Sequence, residues 1–210
     1  RISFILRRIV IPDLLSRKMC RYCGRSISPF YCIVELATGI FFLWAYVHFG
    51  WSQELLLALL FASLLIVITA TDILYMIIPN VILLFYLLLF LLYRKVVLAE
   101  PMKDAYLGSA TGFLILFSVG VLFKKITGEE GIGGGDIKLY AVIGLVLGVK
   151  KTILSLFLAS CIGLCLFFCM PHIPNKNGEM PFGPSIAIAA WLCYLYGHYA
   201  IDWYLGFFAS

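Results

Sequence analysis

The chain has 210 residues, of which 63% are hydrophobic and only 13% charged, against roughly 25% charged in a typical soluble domain. A water-soluble surface cannot be assembled from that composition, so the chain reads as a polytopic membrane protein, long enough for one domain of several spans. The formal charge of +5 is not the footprint of nucleic-acid binding, because seven of the 16 Lys and Arg residues crowd into residues 1–25, where they act as a membrane-orientation signal.

The chain opens on Arg1 rather than Met, so a longer parent sequence is expected upstream. Two units are expected: a basic cytoplasmic segment over residues 1–30, holding Cys20-Arg21-Tyr22-Cys23, and a transmembrane domain over residues 31–210. Apolar runs in the second unit fall at about 31–49, 55–78, 81–99, 105–123, 137–149, 152–170 and 185–208. The expected fold is therefore all-α, a bundle of about seven transmembrane helices. Most runs approach the roughly 20 residues that cross a bilayer, and the fifth is short.

The order of the runs sets the topology. The positive-inside rule puts the basic N-terminal segment in the cytoplasm. The first run leaves through Phe49-Gly50-Trp51-Ser52-Gln53-Glu54, which has no Lys or Arg. The second returns near residues 72–80, where Pro79 lacks a backbone N–H and the chain turns. The third and fourth run out and back, delivering Lys124-Lys125 and a glycine-rich stretch. Two crossings separate Asp72 from Asp136, an even number, so both stand at one membrane face whichever way the protein inserts. The charge bias is imperfect, since Arg94, Lys95, Lys103, Lys150 and Lys151 fall on the outer side.

Asp72 follows a long apolar run and precedes six uncharged residues. A carboxylate at the centre of a membrane helix costs roughly 2.5–3.5 kcal/mol on insertion scales, and such residues mark functional pathways. Asp136 follows Gly133-Gly134-Gly135 and opens the apolar run after it. A phosphate-cradling loop would need a Gly-Lys-Ser/Thr ending and a preceding strand, and neither is present; a plain loop ending at a helix N-cap is the other reading. If the two aspartates meet, they cannot both ionise freely at neutral pH and tend to share one proton. The ionised member can then take a proton from water while the protonated one polarises a peptide carbonyl, the division of labour in aspartic proteases. A reading from a different class is a transporter or channel with Asp72 and Asp136 as a proton or cation relay, which wants both at mid-membrane. His48, His172 and His198 lack metalloprotease spacing. Cys161, Cys165 and Cys169 recur every four residues on one helix face and are expected at helix contacts.

Four stretches, in order, resemble the type IV prepilin leader peptidases, membrane aspartic proteases with a G-x-G-D motif. They are Cys20-x-x-Cys23-Gly24 with Ser28 and Val34-Glu35-Leu36, Asp72 with Ile78-Pro79-Asn80, Gly133-Gly134-Gly135-Asp136-Ile137-Lys138-Leu139, and Pro181-Phe182-Gly183-Pro184. The resemblance implies an enzyme of the bacterial inner membrane that cleaves the basic leader from prepilins and pseudopilins at the cytoplasmic face. It implies Asp72 and Asp136 as the catalytic pair, with Gly133 and Gly135 allowing close approach. It leaves Lys138 either beside a carboxylate or, by preference, among headgroups. The peptidase reaction needs no cofactor. Methylation of the new pilin N-terminus, as in bacterial members, would use S-adenosylmethionine and a cytoplasmic segment to which Glu35 is linked. Such members carry two C-x-x-C pairs; Cys20 and Cys23 supply half of the four ligands zinc normally takes, with Cys32 as a conceivable third. Expected partners are prepilin substrates and the lipid bilayer, not nucleic acid, and the oligomeric state is left open. Pro181 to Pro184 is expected to turn the chain back into the membrane on the active-site side.

Overall fold

The structure, a computed structural model, describes residues 29–98, 102–129, 131–169 and 181–209. Every regular element among them is helical: α1 (Pro29–Phe49), α2 (Gln53–Tyr75), α3 (Asn80–Tyr93) ending in a π turn (Arg94–Leu98), α4 (Met102–Thr127), α5 (Gly134–Cys169) and α6 (Gly183–Ala209). The first five are long and apolar enough to cross a membrane. The chain is a multi-pass helical membrane protein.

Local chemistry sets the ends of α2. Ser52 caps its start by accepting a hydrogen bond from the Leu55 N–H (3.3 Å), satisfying a donor that the first turn leaves without a helical partner. At its other end Met76 adopts the left-handed conformation (φ 53°) and its N–H bonds the Asp72 carbonyl at 2.9 Å. Ile77 and Ile78 then run without helix into Pro79, whose fixed φ opens α3.

The fifth and sixth expected spans fuse into the single element α5, yet it is not one rod. Gly148 has φ 74° and ψ 177°, a backbone closed to ordinary L-residues, and the Tyr140 hydroxyl donates to the Ser155 carbonyl at 3.3 Å. Fifteen residues of straight helix would hold those groups about 22 Å apart, so the chain doubles back at Gly148. Residues 134–147 and 149–169 are two arms of a hairpin, and counting each arm gives seven α-helical segments among the described residues. The first arm is short, about 21 Å.

The first arm lies against α4 with backbone almost on backbone. A Cβ on Gly108 would fall on the Gly144 carbonyl oxygen and within 2.7 Å of the Gly148 backbone, and one on Gly144 would fall on Gly108. Small residues at such crossings allow the contact that drives helix association in lipid. The hairpin tip is held by charge. Arg94 Nη1 donates to the carbonyls of Leu145 (3.1 Å) and Val146 (2.9 Å), which the end of the first arm leaves without helical donors. Asp104 stands against Gly148, and Glu54 acts electrostatically on Lys151.

The cysteine expectation needs correcting. Cys161, Cys165 and Cys169 are exposed rather than at helix contacts, because the second arm buries the opposite face, through Thr152, Ser155 and Ala159. Cys20 and Cys23 lie outside the described residues.

The Gly108–Gly144 crossing yields a test. Gly144→Leu should destabilise the protein by at least about 1–3 kcal/mol, the usual range for overpacking, read as a lower melting temperature in detergent micelles. An unchanged melting temperature would remove this crossing as a determinant of the fold.

Candidate active site

Asp72 occupies the last turn of α2, four residues before the left-handed cap. It is 7% exposed, and its Oδ2 accepts a 2.7 Å hydrogen bond from the Gly183 N–H. The Ile186 N–H bonds the Phe182 carbonyl at 3.1 Å, so Gly183 stands in the first turn of α6, where N–H groups lack helical acceptors. Asp72 supplies that acceptor. It thus sits at the positive end of another helix's dipole, a placement that favours a carboxylate.

Asp136 occupies the first turn of α5. Its N–H bonds the Gly133 carbonyl at 3.1 Å, and the Ile137 N–H reaches the same oxygen at 3.4 Å. Gly133, not Asp136, therefore holds the capping position, and the Asp136 side chain stands at the N-terminus of its own helix. Of the two expected glycine roles, Gly135 has the tighter reason: a Cβ there would lie 2.9 Å from Ile78 Cβ, whereas one on Gly133 would lie 3.1 Å from Asp136 Oδ2. The first turn of α5 is thereby pressed on the link between α2 and α3.

That contact brings the two aspartates into one neighbourhood, close enough for Asp72 to act electrostatically on Asp136. The even number of crossings is realised by α3 running away and α4 returning. Lys138 is exposed, and its Nζ donates to Asn80 Oδ1 at 3.0 Å. It joins the start of α5 to the start of α3 beside Pro79. Glu35 stands exposed on α1. Among the described residues no group of three or more His, Cys, Asp or Glu side chains converges as a metal site.

The contact between Gly183 and Asp72 is the feature that sequence reasoning missed. A Cβ on Gly183 would lie 2.7 Å from Asp72 Oδ2 and 2.9 Å from its Cβ, so the approach requires glycine. Pro181-Phe182-Gly183-Pro184 was legible as a turn into the last helix. Its partner, 111 residues earlier in the chain, was not, because a backbone N–H leaves no side-chain signature.

The model of the type IV leader peptidase family matches residues 59–168, a stretch that includes Asp72, Asp136 and both arms of α5. The chain belongs to the type IV leader peptidase family. A bacterial N-terminal domain associated with the same peptidases matches residues 9–49. A Bacillus subtilis protein named prepilin leader peptidase/N-methyltransferase is 39% identical over 199 residues, covering 93% of this chain and 78% of the relative. Proteins of the same name from Xanthomonas campestris and Pseudomonas aeruginosa are 33% and 35% identical, covering 92% and 90% of this chain and 68% and 66% of their own lengths. No solved structure matches the chain significantly. The leader peptidase family model spans both aspartates but stops short of Gly183.

Adjacency of the α2–α3 link and the α5 start can be checked by cross-linking. In a background with the other cysteines replaced, the double variant Ile78→Cys/Gly135→Cys should close a disulfide under mild oxidation. The Cβ positions lie 2.9 Å apart, a small relaxation from the roughly 3.5–4.5 Å that a disulfide takes. Mass spectrometry of membrane-extracted protein reads the loss of two thiols; two persistent free thiols would separate these helix ends.

Proposed function

We propose that this protein is an aspartic endopeptidase of the bacterial inner membrane that removes the basic leader from prepilins or pseudopilins at the cytoplasmic face, with Asp72 and Asp136 as its catalytic pair. The observation that supports this reading is the packing of two helix ends, where Gly135 is pressed on Ile78. It puts Asp72, buried in the last turn of α2, near enough to act electrostatically on Asp136 in the first turn of α5. The relatives' shared name supports the substrate class. The relay reading is not favoured, since carboxylates at helix ends lie away from the mid-membrane depth that a relay wants.

With one proton on the pair, the ionised aspartate takes a proton from water as the water oxygen bonds to the scissile carbonyl carbon. The protonated aspartate gives its proton to the carbonyl oxygen, leaving a neutral tetrahedral gem-diol. Collapse reverses the roles. The aspartate that gave its proton takes one from a gem-diol hydroxyl, its partner protonates the departing nitrogen, and the C–N bond breaks. The pair returns to its starting state, and no covalent enzyme intermediate forms.

An apolar cleft supports an apolar, membrane-embedded substrate. It is lined by Val34 and Ala37 of α1, Thr69 and Ile73 of α2, and Pro184 and Ile188 of α6. Ile73 and Pro184 are chain neighbours of Asp72 and Gly183, so the cleft lies beside the contact between those two residues.

N-methylation belongs to the relatives' printed name and is proposed here as a second activity using S-adenosylmethionine, with Glu35 as the candidate residue of this chain. The described residues do not assemble a site for that cofactor or for zinc. Glu35 is a lone acidic residue on an exposed face of α1, and Cys20 and Cys23 lie outside the described residues. No step is drawn through either group.

Asp72→Asn and Asp136→Asn should each lower prepilin cleavage by about 10²–10⁴-fold or more, the usual contribution of a positioned acid or base, in vesicles containing equal amounts of folded protein. Cleavage retained in either variant would take that residue out of the mechanism. If the unmodified protein does not cleave a prepilin with a basic leader, the peptidase reading itself falls.

A further inference from the structure

The Gly183 N–H can only donate, so the Asp72 Oδ2 that meets it at 2.7 Å must present a lone pair. A protonated carboxyl oxygen is the poorer acceptor, so this contact favours Asp72 in its ionised form. The N–H is also hard to move. Phe182 is wedged on the second arm of α5, where a Cβ on Gly163 would lie 2.7 Å from its ring. Pro184 on the other side fixes its own φ and contributes no competing N–H. Gly183 and Asp72 are both buried, so water has little access to replace this hydrogen bond.

We propose that the Gly183 amide is a positioning donor for the reaction: it holds Asp72 with Oδ2 committed as an acceptor and Oδ1 turned to the attacking water, making Asp72 the base and Asp136 the carrier of the shared proton. This rests on the aspartate-pair reading above. Phe182 and Gly163 form the clamp that sets the amide, and Asp136 is the ionisable group that shares the Asp72 neighbourhood from α5.

The direct test removes the hydrogen bond without adding a side chain. Glycolic acid incorporated at position 183 by nonsense suppression, during cell-free synthesis into lipid vesicles, replaces the N–H with an ester oxygen. Because the ester also weakens the Phe182 carbonyl that accepts from the Ile186 N–H at 3.1 Å, the ester and unmodified proteins are first matched by melting temperature. Cleavage of a prepilin should then show kcat lowered by at least about tenfold, as expected for loss of a hydrogen bond to a charged group. KM should stay within about twofold, because the contact acts on the reacting groups rather than on substrate binding. Gly183→Ala, which drives a methyl into Asp72, should lose kcat at least as strongly. Its folding is checked by melting temperature, and a misfolded Ala variant leaves the ester to decide. An ester variant with unchanged kcat, or one whose loss lies wholly in KM, overturns the proposal. With the unmodified chain active and both Asp→Asn variants inactive, that result sinks only the role of Gly183; an inactive unmodified chain sinks the peptidase reading first.

Discussion

A helix that stops at the edge of a bilayer leaves its last carbonyls without partners, and lipid cannot supply them. The first arm of α5 stops in this way at Gly148, and Arg94 answers it by donating to Leu145 and Val146. A cation at a helix C-terminus also opposes the negative end of the dipole. The rest of the site follows from this closure. The arm is a stiff rod of about 20 Å with its tip tied by Arg94, its flank pressed on α4 through Gly108 and Gly144, and its side bonded to the second arm by Tyr140 and Ser155. Its other end carries Asp136, so the position of the carboxylate depends on the tied tip of the arm as well as on the local contacts of Gly135 with Ile78 and Lys138 with Asn80.

The two aspartates are supported in different ways. Asp136 stands at the start of its own helix, and its backbone is anchored by Gly133. Asp72 stands at the end of its helix and faces the start of another, α6. Both carboxylates thus lie near positive helix ends, while each is also close to the other's negative charge. Two dipoles offset part of the repulsion between two acids, and on the proposed reading a single shared proton would offset more. The asymmetry matters for chemistry because a symmetric pair has no preferred base.

Much of this was legible in the sequence. Asp72 stood out because a carboxylate is costly at the end of an apolar run, and counting crossings placed Asp136 on the same face without any choice of orientation. The hairpin was legible only as two apolar runs with a break at 150–151, because a positive-φ glycine inside apolar sequence reads like any other small residue. The basic residues on the outer side looked like exceptions to the charge rule; Arg94 is there as a helix cap and Lys151 as a neighbour of Glu54, which are tertiary roles that loop counting cannot see. The cysteine stripe failed for a related reason: four-residue spacing identifies a face of a helix, but not whether that face meets protein or lipid. The likeness of this chain to prepilin leader peptidases rested on short motifs whose order, more than any single one, carried it.

The hydrogen bond between Gly183 and Asp72 spans 111 residues of chain, and its donor lies in the last helix described. Asp72 and Asp136 are both synthesised before that helix begins. Until α6 enters the membrane, the Asp72 carboxylate lacks its donor and the wall of the apolar cleft formed by Pro184 and Ile188 is missing. A chain still emerging from the ribosome therefore holds both acids without the Gly183 donor or that wall of the cleft, and these two arrive only with the last helix.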